Sequence, residues 1–276
     1  MVVMARQAVV VLIWIVLAIS AGGAGDVRTM ERATELLAAP DARGPHGRLV
    51  ATLIGRMSDS ELAEMTVVSP NLTLRLRAAE ELALHRGDVH PCESFAELLQ
   101  AALDVPLPPR FEKAVRNGKL QDRRLLPELI HRPATEEIQT PEWTVALDKP
   151  GSLTVLAGSH RSVVDAPRGG LSMVAASDDK AIACALFEFD FASEPLCVVF
   201  SRASGQEIWR RRARGGASRQ SGNLLSHHDM ELVVHDERAY LFGLCTPTVY
   251  IECYSLTDGA LVGLYRGQIE PSGGDR

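Results

Sequence analysis

The chain has 276 residues, 46% of them hydrophobic and 23% charged, ordinary globular proportions that exclude wholesale disorder and a collagen-like or low-complexity chain. Basic residues number 29 and acidic residues 35, a net charge of −6, which excludes bulk attraction to nucleic acid as the basis of function. At about 150 residues per domain, the length accommodates one or two domains.

Residues 1–25 read as an address rather than as part of a fold. Arg6 supplies a positive start, Ala8 to Ile19 is an unbroken apolar run, and small residues follow from Ser20 to Gly25. That order is the layout of a secretory signal peptide, with cuts compatible after Ser20, Gly22 or Ala24. An uncleaved anchor over residues 8–24 is the alternative, although the apolar run falls short of the ~20 residues that span a bilayer. The chain beyond is therefore expected to be secreted or periplasmic, with membrane attachment only through this segment.

Residues 27–135 carry helical spacing. Val27, Met30, Ala33, Leu36 and Leu37 fall three or four apart, and Pro40 ends that run. A second helix is expected from Arg48 to Met57. Ser58 is positioned to cap a third through Met65. Ser69-Pro70 opens the clearest helix, NLTLRLRAAEELALHR, which Gly87 stops. Leu72, Leu74, Ala78, Leu82 and Leu84 should supply its buried side. Further helices are expected over Ser94–Leu103 and Phe111–Asn117, with a shorter one over Leu125–His131. The text LRLRAAEELALHRGD resembles the second helix of a HEAT-type repeat, but it occurs once, and a solenoid needs about three stacked copies. A small irregular helical region is the expectation. Asn71-Leu72-Thr73 also has the form of a glycosylation acceptor.

After a Pro-rich joint near residues 133–150 the texture changes. Between 141 and 270 short apolar or alternating runs stand between turn signals, among them SLTVLA, LSMVAAS, AIACALFEF, LCVVFS, EIWRR, ELVVH, AYLFGL, VYIECYSL and LVGLY. Two stretches overlay. Asp179-Lys180-Ala181 matches Glu237-Arg238-Ala239, Ser204-Gly205 matches Asp258-Gly259, and Ile208 matches Val262. Each copy reads as a hairpin, a Gly-containing turn and a further strand. With SRASGQEIW and SLTDGALVG at the turns, residues 179–267 resemble β-propeller blades of the quinoprotein type. The resemblance implies blade-like sheets. It carries over no cofactor or calcium ligand, because none can be placed on these residues. About 130 residues hold about three blades, short of the roughly four that close a ring. The expected class is α+β: a helical N-terminal region followed by an antiparallel β domain, either a small sandwich or barrel or a partial propeller.

Three groups of side chains could carry chemistry. His227, His228 and His235, with Asp229, Glu231 and Asp236 nearby, are ligand types for zinc, nickel or copper, but their spacing matches no metal motif, and a polar loop running into an edge strand explains them as well. Arg210, Arg212 and Arg214 form the densest basic stretch and are candidates for anion binding, against the plain reading of a solvated strand end. Five cysteines leave room for at most two disulfides within the chain. If AIACALFEF and LCVVFS form a hairpin closing around residues 190–192, Cys184 and Cys197 lie nearly opposite, at a spacing a disulfide can bridge. The same reasoning in a hairpin centred on Pro247 sets Cys253 opposite Leu241 and leaves Cys245 without a sulfur partner. Ser–His neighbours at 159–160 and 226–227 point apart on a strand and make no catalytic couple.

The reading that follows is an exported binding or structural interaction protein with a protein or glycan partner, no cofactor and no nucleic-acid role. The alternative is an extracytoplasmic hydrolase built on the loop around His227 and His228. No catalytic residue is assigned.

Overall fold

In a computed structural model, the protein is described over residues 45–86, 91–117, 135–149, 151–166, 171–188, 195–213, 228–245 and 248–268. The apolar N-terminal segment, the helix expected over 27–39 and the one over 125–131 lie outside these residues.

The helices come first. Those described are α1 (Pro45–Ile54), α2 (Asp59–Val68), α3 (Leu72–Glu80), α4 (Pro91–Leu103) and α5 (Pro109–Asn117). Ser58 opens α2 with a capping box: its hydroxyl accepts from the Glu61 amide, and the Glu61 carboxylate takes the Ser58 amide at 2.7 Å. Asn71 caps α3 through the Leu74 amide at 3.1 Å. The helix expected to run unbroken to residue 86 instead widens into a π-turn over Glu81–His85. The wide turn brings residues five apart together, and Arg86 pairs with Glu81 at 3.1 Å. The same guanidinium also donates to the carbonyls of Ile54, Gly55 and Met57, at and just beyond the C-terminal end of α1.

Among the described residues twelve strands follow, in three four-stranded antiparallel sheets. The first holds β1 (Glu137–Gln139), β2 (Trp143–Lys149), β3 (Ser152–Ala157) and β4 (His160–Asp165). The second holds β5 (Leu171–Ser177), β6 (Ala181–Glu188), β7 (Leu196–Ser201) and β8 (Glu207–Arg212). The third holds β9 (His228–His235), β10 (Arg238–Cys245), β11 (Thr248–Ser255) and β12 (Leu261–Gln268). Spatial order equals chain order in every sheet, so each is a simple up-and-down meander. The β region is thus a series of blade-like sheets, not a sandwich or barrel.

Strands β1 and β2 occupy the stretch read from sequence as a Pro-rich joint. Pro141 sits in the connection between them, and Trp143, Val145 and Leu147 alternate towards the core while Thr144 and Ala146 face away. The prolines masked an ordinary strand pattern.

Both Gly turns of the internal repeat take one geometry. Gly205 has φ +67° and donates its amide to Ser201 O at 2.7 Å; Gly259 has φ +70° and donates to Ser255 O at 3.0 Å. A residue with a Cβ is strained at such φ, which is why the repeat keeps glycine there.

The second sheet is covered on both faces. Met173, Ile182, Cys184, Leu186, Val198 and Phe200 form one core with Trp143, Val145, Leu153 and Val155 of the first sheet. On the opposite face, Trp209 of β8 meets Tyr254 of β11, with ring centroids 5.7 Å apart. The Trp209 indole donates to Leu256 O at 2.9 Å and lies over Gly259.

The chain divides into two compact units that do not follow chain order. One comprises residues 1–107, 115–119 and 260–276; the other comprises 108–114 and 120–259. The last strand therefore belongs with the helices. Within that unit α3 packs on β12: Leu72 fills the space over Gly263, buried Thr73 accepts the Leu264 amide at 3.1 Å, and the Tyr265 hydroxyl bonds Glu80 at 3.0 Å. Arg77 lies over the Tyr265 ring, 5.5 Å from its centroid, and pairs with Glu80.

Candidate functional site

Each group of candidate residues occupies a definite place in the meanders. Strand β9 begins at His228 and ends at His235. Seven steps of extended chain place these two positions roughly 23 Å apart along the strand. They do not converge. His227 lies outside the described residues. His235 is exposed, with Nε2 3.5 Å from Asp236. Among the described residues no three His, Cys, Asp or Glu side chains are grouped to hold a metal ion.

Glu231, the acid between those histidines, has another task. Its carboxylate accepts the Phe111 amide at 2.8 Å, at the third residue of α5. Helix N-termini leave such amides unpaired and favour negative charge. On the same face of the sheet Phe111 packs edge-on against Phe242, with centroids 5.0 Å apart. The partner lies 120 residues away in sequence, so no local pattern announced this cap.

The basic strand β8 alternates as its ladder requires. Arg210 pairs with Val198 and Arg212 with Leu196, while Arg211 pairs with Cys197 on the other face. Arg210 holds both Glu207 carboxylate oxygens and donates to Asp165 O of β4 at 3.0 Å. That bonding keeps its guanidinium cationic and raises its pKa further. Arg214 lies outside the described residues. Sequence reading missed two inter-sheet ion pairs at the turns. Arg202 joins Glu142, and Lys180 joins Glu237 at 2.6 Å.

The cysteines correct the expected disulfide. Cys184 stands opposite Val198 and Cys197 opposite Ala185, one residue away from the expected register. One step along a strand reverses the face, so the two sulfurs point to opposite sides of the second sheet. Both are buried thiols. Burial pushes each well above the ordinary thiol range, and the nearby Glu252 carboxylate adds to the effect at Cys197. In the second hairpin Cys253 faces Tyr240 and not Leu241, again one residue from the expected pairing. Desolvation pushes the Cys253 thiol up to about 12.

Beneath Tyr254 lies Glu252, a fully buried carboxylate that accepts the Tyr254 hydroxyl. On the far face of the first sheet, Leu156 and Val163 are 40% and 57% exposed. Beside them the buried Thr154 hydroxyl makes no hydrogen bond.

No protein-family model matches the chain, and no curated protein matches it. Among solved structures the chain is similar to a europium-containing methanol dehydrogenase at 10% identity, over 50% of this chain and 25% of that one, with a TM-score of 0.31. The match thus spans a quarter of that enzyme's length, and no cofactor, metal or reaction is taken from it. The class the fold defines is a helical N-terminal part followed by three blade-like antiparallel sheets. Among the described residues no helix is long and apolar enough to cross a membrane.

Proposed function

We propose that the chain is an exported binding or structural interaction protein and that its sheet region is the binding framework. The observation that carries this reading is the separation of His228 and His235 along one strand, which keeps those two histidines from sharing one site; the hydrolase alternative around His227 and His228 is decided by the experiment below. Two neighbouring groups point the same way. Glu231 caps a helix, and Arg210 braces β4 and β8. Export rests on the positive, apolar, small-residue order of the first 25 residues.

The test uses the full chain expressed in its native host. Fractionation should recover it outside the cytoplasm with an N-terminus between Ala21 and Asp26. An intact Met1 in the membrane fraction would instead identify an anchor. Purified protein should lack stoichiometric metal and leave model esters and phosphoesters intact. A photo-crosslinker at Val163 should yield one discrete adduct, and a crosslinker at the buried Val155 none. Metal-dependent hydrolysis abolished by His227→Ala or His228→Ala would overturn the reading.

A further inference from the structure

A fully buried carboxylate needs a compensating charge or a full set of hydrogen bonds, because desolvating it alone is costly. Glu252 is such a group, with no exposed surface, and the Tyr254 hydroxyl is one of its donors. The geometry of the two sheets identifies a cation beside it. Tyr254 and Glu252 are two apart on β11 and share a face; Trp209 and Arg211 are two apart on β8 and share a face. The Trp209 ring meets Tyr254, and its indole bonds Leu256, so β8 and β11 lie face to face at this point. Two residues further along β8 comes Arg211, directly opposite Cys197 on the neighbouring strand. Cys197 in turn feels the charge of Glu252. The contact at one end and the proximity at the other bracket Arg211 against Glu252. Arg211 is only half-buried, so its stem can lie along the apolar face while its head reaches the acid.

We propose that Arg211 is the counter-charge of buried Glu252, and that this pair, ringed by Tyr254 and Cys197, is a polar latch that fixes the second sheet against the third. Removing one partner of a buried pair strands the other charge, whereas removing both together is much milder.

Thiol labelling reads the latch locally. Cys197 reports the face towards the third sheet, and Cys184 reports the face towards the first. In native buffer Arg211→Met should accelerate modification of Cys197 by about tenfold or more while Cys184 stays protected, as quantified by peptide mass spectrometry. Retained Cys184 protection shows that the variant is folded. Arg211→Lys should fall between Met and wild type. The double variant Arg211→Met/Glu252→Gln should recover most of the lost Cys197 protection and melt above Arg211→Met alone. Equal acceleration at both cysteines, an unchanged Cys197 rate, or strictly additive melting shifts would each overturn the proposal. Should Arg211→Met fail to accumulate folded, Glu252→Gln and Arg211→Lys provide the same comparison.

Discussion

The two repeat glycines show how one backbone geometry carries different side-chain consequences. Both sit near φ +70°, so alanine at either pays for a left-handed residue, about 1 kcal/mol. Around Gly205 the nearest side-chain atom to an added Cβ is His160 Cβ at 3.4 Å, ordinary contact. At Gly259 the Cβ would come within 2.7 Å of the Trp209 ring, which its hydrogen bond to Leu256 holds in place. Gly259→Ala should therefore destabilise by roughly 2–4 kcal/mol and Gly205→Ala by about 1 kcal/mol, measured by urea unfolding. Equal losses would mean that Trp209 yields without cost. The turn of β9 and β10 makes the converse case. Asp236 and Glu237 both have positive φ, at 45° and 60°, a region that Asp tolerates but that strains Glu. Glu237→Gly relieves that backbone but surrenders an exposed ion pair with Lys180. Exposed pairs contribute little, so the variant should gain roughly 0.5–1 kcal/mol. A loss would show that the Lys180 contact outweighs the strain.

Elements were legible where their signals are local. The Ser58 cap, the α2 helix behind it and most strands between 152 and 265 follow from spacing and turn residues alone. Capping residues act within one turn, so Ser58→Ala should cost about 1 kcal/mol in a thermal or urea melt; an unchanged midpoint would make the capping box ornamental. What was not legible depends on distance or on half a turn. The hairpin registers of Cys184–Cys197 and Cys245–Cys253 each missed by one residue, because a loop of uncertain closure can shift its centre by half a position and thereby reverse every face. Prolines hid β1 and β2. The pairing of α3 with β12 joins residues about 190 apart, and Thr73 gives no sign in sequence that it will bond Leu264. The histidine group looked like a site because sequence shows proximity along the chain and not direction: β9 spreads His228 and His235 apart and turns Glu231 to a helix end.

At the scale of the molecule, several buried acids of weak strength face the same direction. Cys184, Cys197 and Cys253 ionise near 9 when solvated, and burial raises all three; Tyr265, buried beside Glu80, is held well above its ordinary value of 10, and burial raises Tyr240 as well. In each case the folded state holds the proton more tightly than the unfolded chain. Above the unfolded value the unfolded chain sheds protons that the native state keeps, so its free energy falls relative to the native state. The stability contributed is fully present below about pH 9 and is lost progressively as pH rises towards the folded values, about 12 for Cys253. Urea midpoints should thus be level between pH 7 and 8.5 and fall steadily from pH 9 to 11. Replacing Cys184 and Cys197 by Ala should flatten the first part of that fall, since the unfolded thiols that drive it are gone. Tyr265→Phe should leave the first part intact and flatten the part above pH 10. A midpoint that stays level to pH 11 in the wild-type chain would mean that these thiols and phenols ionise in place, and that the packing between the sheets and beneath α3 is looser than their burial implies.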